Sequence, residues 1–203
     1  MLNSIQHFKT NINRVKEIGG LYDALSGLTT SIIDASDLLR SQIVMTVNAL
    51  DHYIHEVTRH GMLEIFDGNR SPTDAFLKFQ VSMETLQQLS VSLGASRALL
   101  ENEIREKHSY LSFQHPDKIG DAIRLFYSPP LWPEVASSLS FSVNDVKTTL
   151  KLIVERRNKI AHEADMDPSY PGTRWPITKN DVQMTINFIE NVCESIHSTI
   201  IIR

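Results

Sequence analysis

Arg157, Asn158 and His162 are the residues of this 203-residue chain whose types and spacing best fit work on an anion. A planar guanidinium presents five donors in a fork that matches phosphate oxygens. An imidazole gives or takes a proton near neutral pH. Asn158 and His162 stand one helical turn apart, so the amide can hold either the imidazole or a phosphate oxygen. Setting Val146 at about 0° and advancing about 100° per residue puts Leu150 near 40°, Ile153 near 340°, Ile160 near 320° and Ala161 near 60°. Arg157 falls near 20°, inside that apolar stripe, while Asn158 and His162 lie beside Lys151 near 120–160°. An arginine on an apolar stripe needs partners, because it stays charged at any ordinary pH. Two readings follow from the position. Arg157 snorkels or pairs with a core carboxylate such as Asp51, or the helix end opens into a cleft or a subunit interface where the guanidinium meets an anion.

Other groups carry weaker signals. His52, His55, Glu56 and His60 cluster on one helix at spacings that could hold a metal. They do not form HExxH and no second cluster supplies further ligands, so the expectation is a polar helix end and no metal. Asp51 or His52 could then support Arg157 or His162 from across the bundle. Tyr170, Arg174 and Trp175 sit in the loop DPSYPGTRWP directly after the motif, where they could stack an unpaired base or anchor the loop to the core. No phosphate-cradling glycine loop or nucleophile elbow is present. No cofactor is expected.

The elements that must position these residues are helical. The chain has 8 glycines and 8 prolines, about 8% against about 12% in average usage, and few turns mean long elements. Residues 1–18 are mildly amphipathic and Gly19-Gly20 is expected to interrupt them. From about Ile32 to Val57 the apolar positions Ile43, Val47, Leu50, Ile54 and Val57 step by four and three, a helix face. Gly61 and the turn Asp67-Gly68-Asn69 close it. Ser71-Pro72-Thr73-Asp74 predicts a helix start with Pro72 at its first position. That helix carries Phe76, Phe79, Met83, Leu86 and Leu93, with a kink at Gly94 before Leu100 and Ile104. Pro116, Pro129, Pro130 and Pro133 leave room for a short helix over 117–126 and irregular chain around SPPLWP. Ser142 with Asp145 caps the motif helix, Val143 to about Ala164. Thr178 with Asp181 caps a last helix through Ile200, with Cys193 on its buried stripe. The expected fold is all-α, about four long helices in a bundle plus short pieces.

Composition excludes several classes. The single cysteine, Cys193, rules out an internal disulfide and a cysteine-cluster zinc site. No apolar run approaches the ~20 residues of a membrane span. The opening residues MLNSIQHFKTNINR lack the apolar core of a secretory signal, so a cytoplasmic protein is expected. With 20 basic and 24 acidic residues the net charge is −4, which argues against a broad nucleic-acid cradle while leaving room for a local phosphate site.

Arg157-Asn158-x-x-x-His162, in its fuller form ERRNKIAHEAD, resembles the R-x4-H signature of the HEPN superfamily. The motif lies late in the penultimate long helix and is followed by a Pro/Gly loop and a last helix opening ITKNDV. ALDHYIHEV and SFQHPDKIGDAI lie upstream. This order is similar to the RiboL-PSP-type HEPN branch from about Ile32 to Ile200, which divides the chain into a helical extension, 1–30, and a HEPN domain, 31–203. The resemblance implies a homodimer with a composite, metal-independent ribonuclease site, and a role as a toxin or defence effector with an antitoxin or defence partner protein. His162 would be general base or acid, Arg157 would stabilise the phosphorane, and Asn158 would position the phosphate or His162. Lys151, Arg156, Tyr170, Arg174 and Trp175 would be candidate RNA contacts. His162 is followed by Glu163 and Ala164, which departs from the His-x-Tyr of HEPN proteins paired with nucleotidyltransferase antitoxins. Non-catalytic members that bind RNA or protein usually lack part of the signature kept here.

Overall fold

The computed structural model describes residues 1–28, 34–91 and 95–201. Among these residues there are nine helices and no strand: α1 (Leu2–Leu28), α2 (Ser36–Phe66), α3 (Asp74–Leu77), α4 (Met83–Val91), α5 (Ser96–His108), α6 (Pro116–Arg124), α7 (Leu131–Leu139), α8 (Val143–Glu163) and α9 (Lys179–Ile200). The four long ones, α1, α2, α8 and α9, form the bundle that the apolar periodicities require. α2 is its axis and touches α1, α5, α6, α8 and α9. Leu50, Ile54 and Val57 of α2 share one core with Val146 and Leu150 of α8 and with Ile186, Ile189 and Cys193 of α9. Phe8, Ile12 and Val15 of α1 join it. α1 also lies along α9, where Lys9 meets Glu194 at 2.7 Å and Lys16 meets Glu190 at 2.8 Å. No helix among the described residues is long and apolar enough to cross a membrane.

Several expected boundaries differ. α1 runs through Gly19-Gly20 without a break. A helical glycine costs only about 1 kcal/mol, and a Cβ on Gly19 would lie 2.8 Å from Gln42 Nε2. The glycine thus lets Gln42 reach the Val15 carbonyl, to which its amide donates at 3.0 Å. Gly61 likewise stays inside α2, because a Cβ there would sit 2.2 Å from the Phe126 ring. The expected turn at Asp67-Gly68 does end that helix, with Gly68 at φ 76°.

The single kinked helix expected after residue 71 is three pieces instead. Thr73, not Ser71, is the cap, its hydroxyl accepting from Phe76 N at 3.0 Å, and α3 lasts one turn. Glu103 of α5 then accepts from Ser82 N and Thr85 Oγ1 at 3.0 and 2.7 Å, which fixes the start of α4. The expected start at Ile32, the 30/31 division, Leu93 and the Gly94 kink lie outside the described residues. Around SPPLWP the expected irregular chain covers only residues 128–130, and from Leu131 the segment is helical. Pro130 stands at the N-cap of α7 and Pro133 in its first turn, where backbone N–H groups lack helical partners anyway, and Leu131, Trp132, Val135 and Ala136 are buried.

The two helices nearest the motif match expectation. Ser142 Oγ accepts from Asp145 N at 3.0 Å to start α8. Thr178 and Asp181 form a reciprocal capping box at the start of α9.

Candidate functional site

α8 lies antiparallel to α2. Arg40 of α2 meets Asp165, just beyond the end of α8, and Asn48, two turns further along α2, meets Arg157. The N-terminal half of α8 buries Val146, Leu150 and Val154. Toward the C-terminal end of α8 the stripe opens to solvent, with Ile160 half-buried, like Ile153 before it, and Ala161 exposed. Arg157 sits where the apolar face loses its cover.

The guanidinium is held by two neutral oxygens. Nη1 donates to Asn158 Oδ1 at 2.9 Å and Nη2 to Asn48 Oδ1 at 2.9 Å. Nε is buried without a hydrogen-bond partner. Amide acceptors fix the fork without neutralising it, and each Nη keeps a second N–H. No carboxylate pairs with Arg157 among the described residues. Asp51, the expected partner, instead accepts from Phe113 N at 2.6 Å and Gln114 Nε2 at 3.2 Å. His52 is exposed, one turn beyond Asn48 on α2. His162 is exposed in the last turn of α8, one turn after Asn158. Arg157, Asn158 and His162 are therefore contiguous, with Arg157 swung toward Asn158.

Residues just past His162 lock the helix end. Ala164 and Asp165 take φ of 51° and 59°, the left-handed region where Asp is one of the better tolerated residues. That double turn buries the Asp165 carboxylate fully, and its Oδ2 receives Arg40 Nε at 2.7 Å and Arg156 Nη2 at 2.8 Å. Arg40 Nη2 and Arg156 Nη2 also donate to the Trp175 carbonyl, at 2.9 and 3.4 Å. Trp175 N donates to the Asp165 carbonyl at 2.9 Å. The loop between them folds on itself through a bridge from Met166 to Arg174.

This sorts the expected RNA contacts. Arg156 is tied into the buried cluster. Arg174 is paired with Asp37. Trp175 is half-buried, its ring under the Lys159 ammonium at 5.2 Å from the centroid. Tyr170 stands 67% exposed on the loop. Lys151 is exposed, 3.8 Å from Glu155. Sequence reasoning missed Asn48, Arg40 and Asp165. Asn48 was findable as a polar residue one turn before His52, whereas nothing local marks Asp165 as buried.

The histidine-rich stretch of α2 is spent on packing and charge pairing. The His55 ring lies 4.4 Å from that of Phe113, Glu56 pairs with Arg59 at 2.6 Å, and His60 stands 3.0 Å from Arg59. His108 packs its edge on Phe79 and Phe113, and burial, with His55 nearby, lowers its pKa to about 4. It is neutral near pH 7. No group of three or more His, Cys, Asp or Glu among the described residues is arranged to hold a metal.

Between α2 and α8, next to Arg157, runs a groove of about 410 Å³ lined by Arg40, Ser41, Val44, Met45, Ile160 and Ala161 among others. Its apolar floor faces solvent.

A family model described as RiboL-PSP-HEPN matches residues 9–201. No curated protein and no solved structure matches the chain.

Proposed function

The chain belongs to the RiboL-PSP-HEPN family, and from that premise we propose that it is a metal-independent endoribonuclease, acting as a homodimer and serving as a toxin or defence effector under the control of a partner protein. The observation that carries the proposal is the state of Arg157, aimed by Asn48 and Asn158 and left without a counter-charge beside an exposed His162. Such a guanidinium suits the extra negative charge of a phosphorane.

The chemistry needs only groups at hand. The imidazole of His162 takes the proton of the ribose 2′-OH, and the 2′-oxygen attacks phosphorus. Arg157 holds the nonbridging oxygens as charge builds. The bond from phosphorus to the 5′-oxygen breaks, and that oxygen takes a proton from an imidazolium. Products are a 2′,3′-cyclic phosphate and a 5′-hydroxyl. Two copies related by a two-fold axis, joined across the α2–α8 groove, would bring two His162 side chains to one phosphate, one as base and one as acid. Val44, Met45, Ile160 and Ala161 supply apolar surface for that contact.

Two expectations test the proposal. A defined single-stranded oligoribonucleotide is cut in the presence of EDTA, and mass spectrometry finds cyclic-phosphate ends. A 2′-O-methyl group at the cut position abolishes cleavage, and DNA is inert. Inhibition by EDTA, or cutting at the methylated position, would remove the 2′-hydroxyl mechanism, and RNA binding without cleavage would leave a binding module. Light scattering at micromolar concentration is expected to give twice the chain mass, and Ile160→Glu in the groove to give a monomer that no longer cleaves. A monomeric, fully active wild type would exclude the composite site.

A further inference from the structure

We infer that Lys159, seated on the Trp175 ring beside His162, is a phosphate-binding residue of the site, gripping the RNA strand one linkage away from the scissile one. The inference rests on the ribonuclease proposal and adds to it a binding residue and a direction for the strand along α8.

Position comes first. Lys159 and His162 are three apart on α8, so their Cβ atoms are about 5–6 Å from each other on one face. Arg157 lies on the α2 side of these residues, its guanidinium held between Asn48 and Asn158. A strand whose scissile phosphate spans Arg157 and His162 must leave along the exposed face, and Lys159 is the next cation there.

Orientation comes second. The ammonium stands 5.2 Å from the Trp175 ring centroid and has no carboxylate partner among the described residues. Lys151, on the same side of α8, is by contrast within 3.8 Å of Glu155. An aromatic face fixes a lysine without cancelling its charge, which an ion pair would do.

The platform itself is rigid for reasons unrelated to Lys159. The Trp175 amide donates to Asp165 and its carbonyl accepts from Arg40 and Arg156. Its Nε1 is buried without a protein partner, so the polar edge points inward and the face is left for the lysine. The buried Arg40–Asp165–Arg156 cluster thus sets the place of the half-buried Lys159 cation through the backbone of Trp175.

The test is equilibrium binding of a fully 2′-O-methylated single-stranded oligonucleotide, followed by fluorescence anisotropy over a salt series. Wild type, Lys159→Gln and Lys159→Arg are compared, with thermal melts of each. Lys159→Gln is expected to weaken binding and to reduce the slope of log affinity against log salt by about 0.7, the value for one lost phosphate contact on a single strand. Lys159→Arg is expected to restore the slope. On cleavable RNA, Lys159→Gln raises KM severalfold and leaves kcat near wild type, a split that a purely structural lysine would not produce. An unchanged salt slope in folded Lys159→Gln, with wild-type RNA binding intact, overturns the inference and spares the ribonuclease proposal. A wild-type protein that neither binds nor cuts RNA overturns both.

Discussion

Replacing His162 with Ala is expected to lower the single-turnover rate of RNA cleavage by about 10²–10⁴-fold, the usual cost of losing one general acid–base. The fold should not notice. His162 is exposed at the end of α8, and surface substitutions of this kind stay within about 0.5 kcal/mol. Arg157→Ala is expected to fall as far, and Arg157→Lys nearly as far. A lysine supplies charge but cannot contact Asn48, Asn158 and a phosphate together in the plane the fork defines. Rates on a defined oligoribonucleotide and circular-dichroism melts check both halves of the claim. Wild-type cleavage by folded His162→Ala would end the mechanism.

The largest effect on stability is expected at Asp165. Its side chain has no exposed surface and meets two guanidinium groups, one of them, Arg40, itself buried. Removing one partner of a buried pair strands the other charge and typically costs about 3–5 kcal/mol. Asp165→Ala should therefore lower the melting temperature by on the order of 10 °C in a chain of this size. Asp165→Asn keeps an acceptor and the tolerance for positive φ, so its loss should be clearly smaller. Urea or thermal denaturation decides. Equal stability of Asp165→Ala and wild type would mean that the cluster does not hold the end of α8.

The long helices were legible because their apolar residues recur at helical spacing and their caps are written locally, as at Ser142–Asp145 and Thr178–Asp181. What failed were inferences from glycine and proline alone. Gly19 and Gly61 looked like breaks, yet each makes room for a side chain from elsewhere, Gln42 and Phe126, and no local signal reveals a long-range neighbour. Pro133 looked like irregular chain, yet in the first turn of a helix a missing N–H costs nothing. At the site, helical arithmetic placed Arg157 on the apolar stripe, and the structure puts it there, where that face loses its cover and the guanidinium swings toward Asn158. It proposed Asp51 as partner, and the true one, Asn48, is a turn away on the same helix. Arg156 looked like a free cation because the carboxylate it serves lies beyond a left-handed double turn that periodicity does not describe.

The lengthwise pairing of α1 with α9 has a consequence for how the protein is made. Residues are added at about 5–20 per second, and the N-terminal part of a chain emerges first. α1 and α2 are thus outside the ribosome long before α9, whose Ile186, Ile189 and Cys193 complete the core around them. Until then α2 lacks one of its principal supports, and Asn48 has no fixed bearing from which to aim Arg157. Arg157 and His162 leave the ribosome on a chain that is still open on one side. A nascent chain that already displays the whole motif therefore does not yet hold Arg157 in the geometry of the finished bundle.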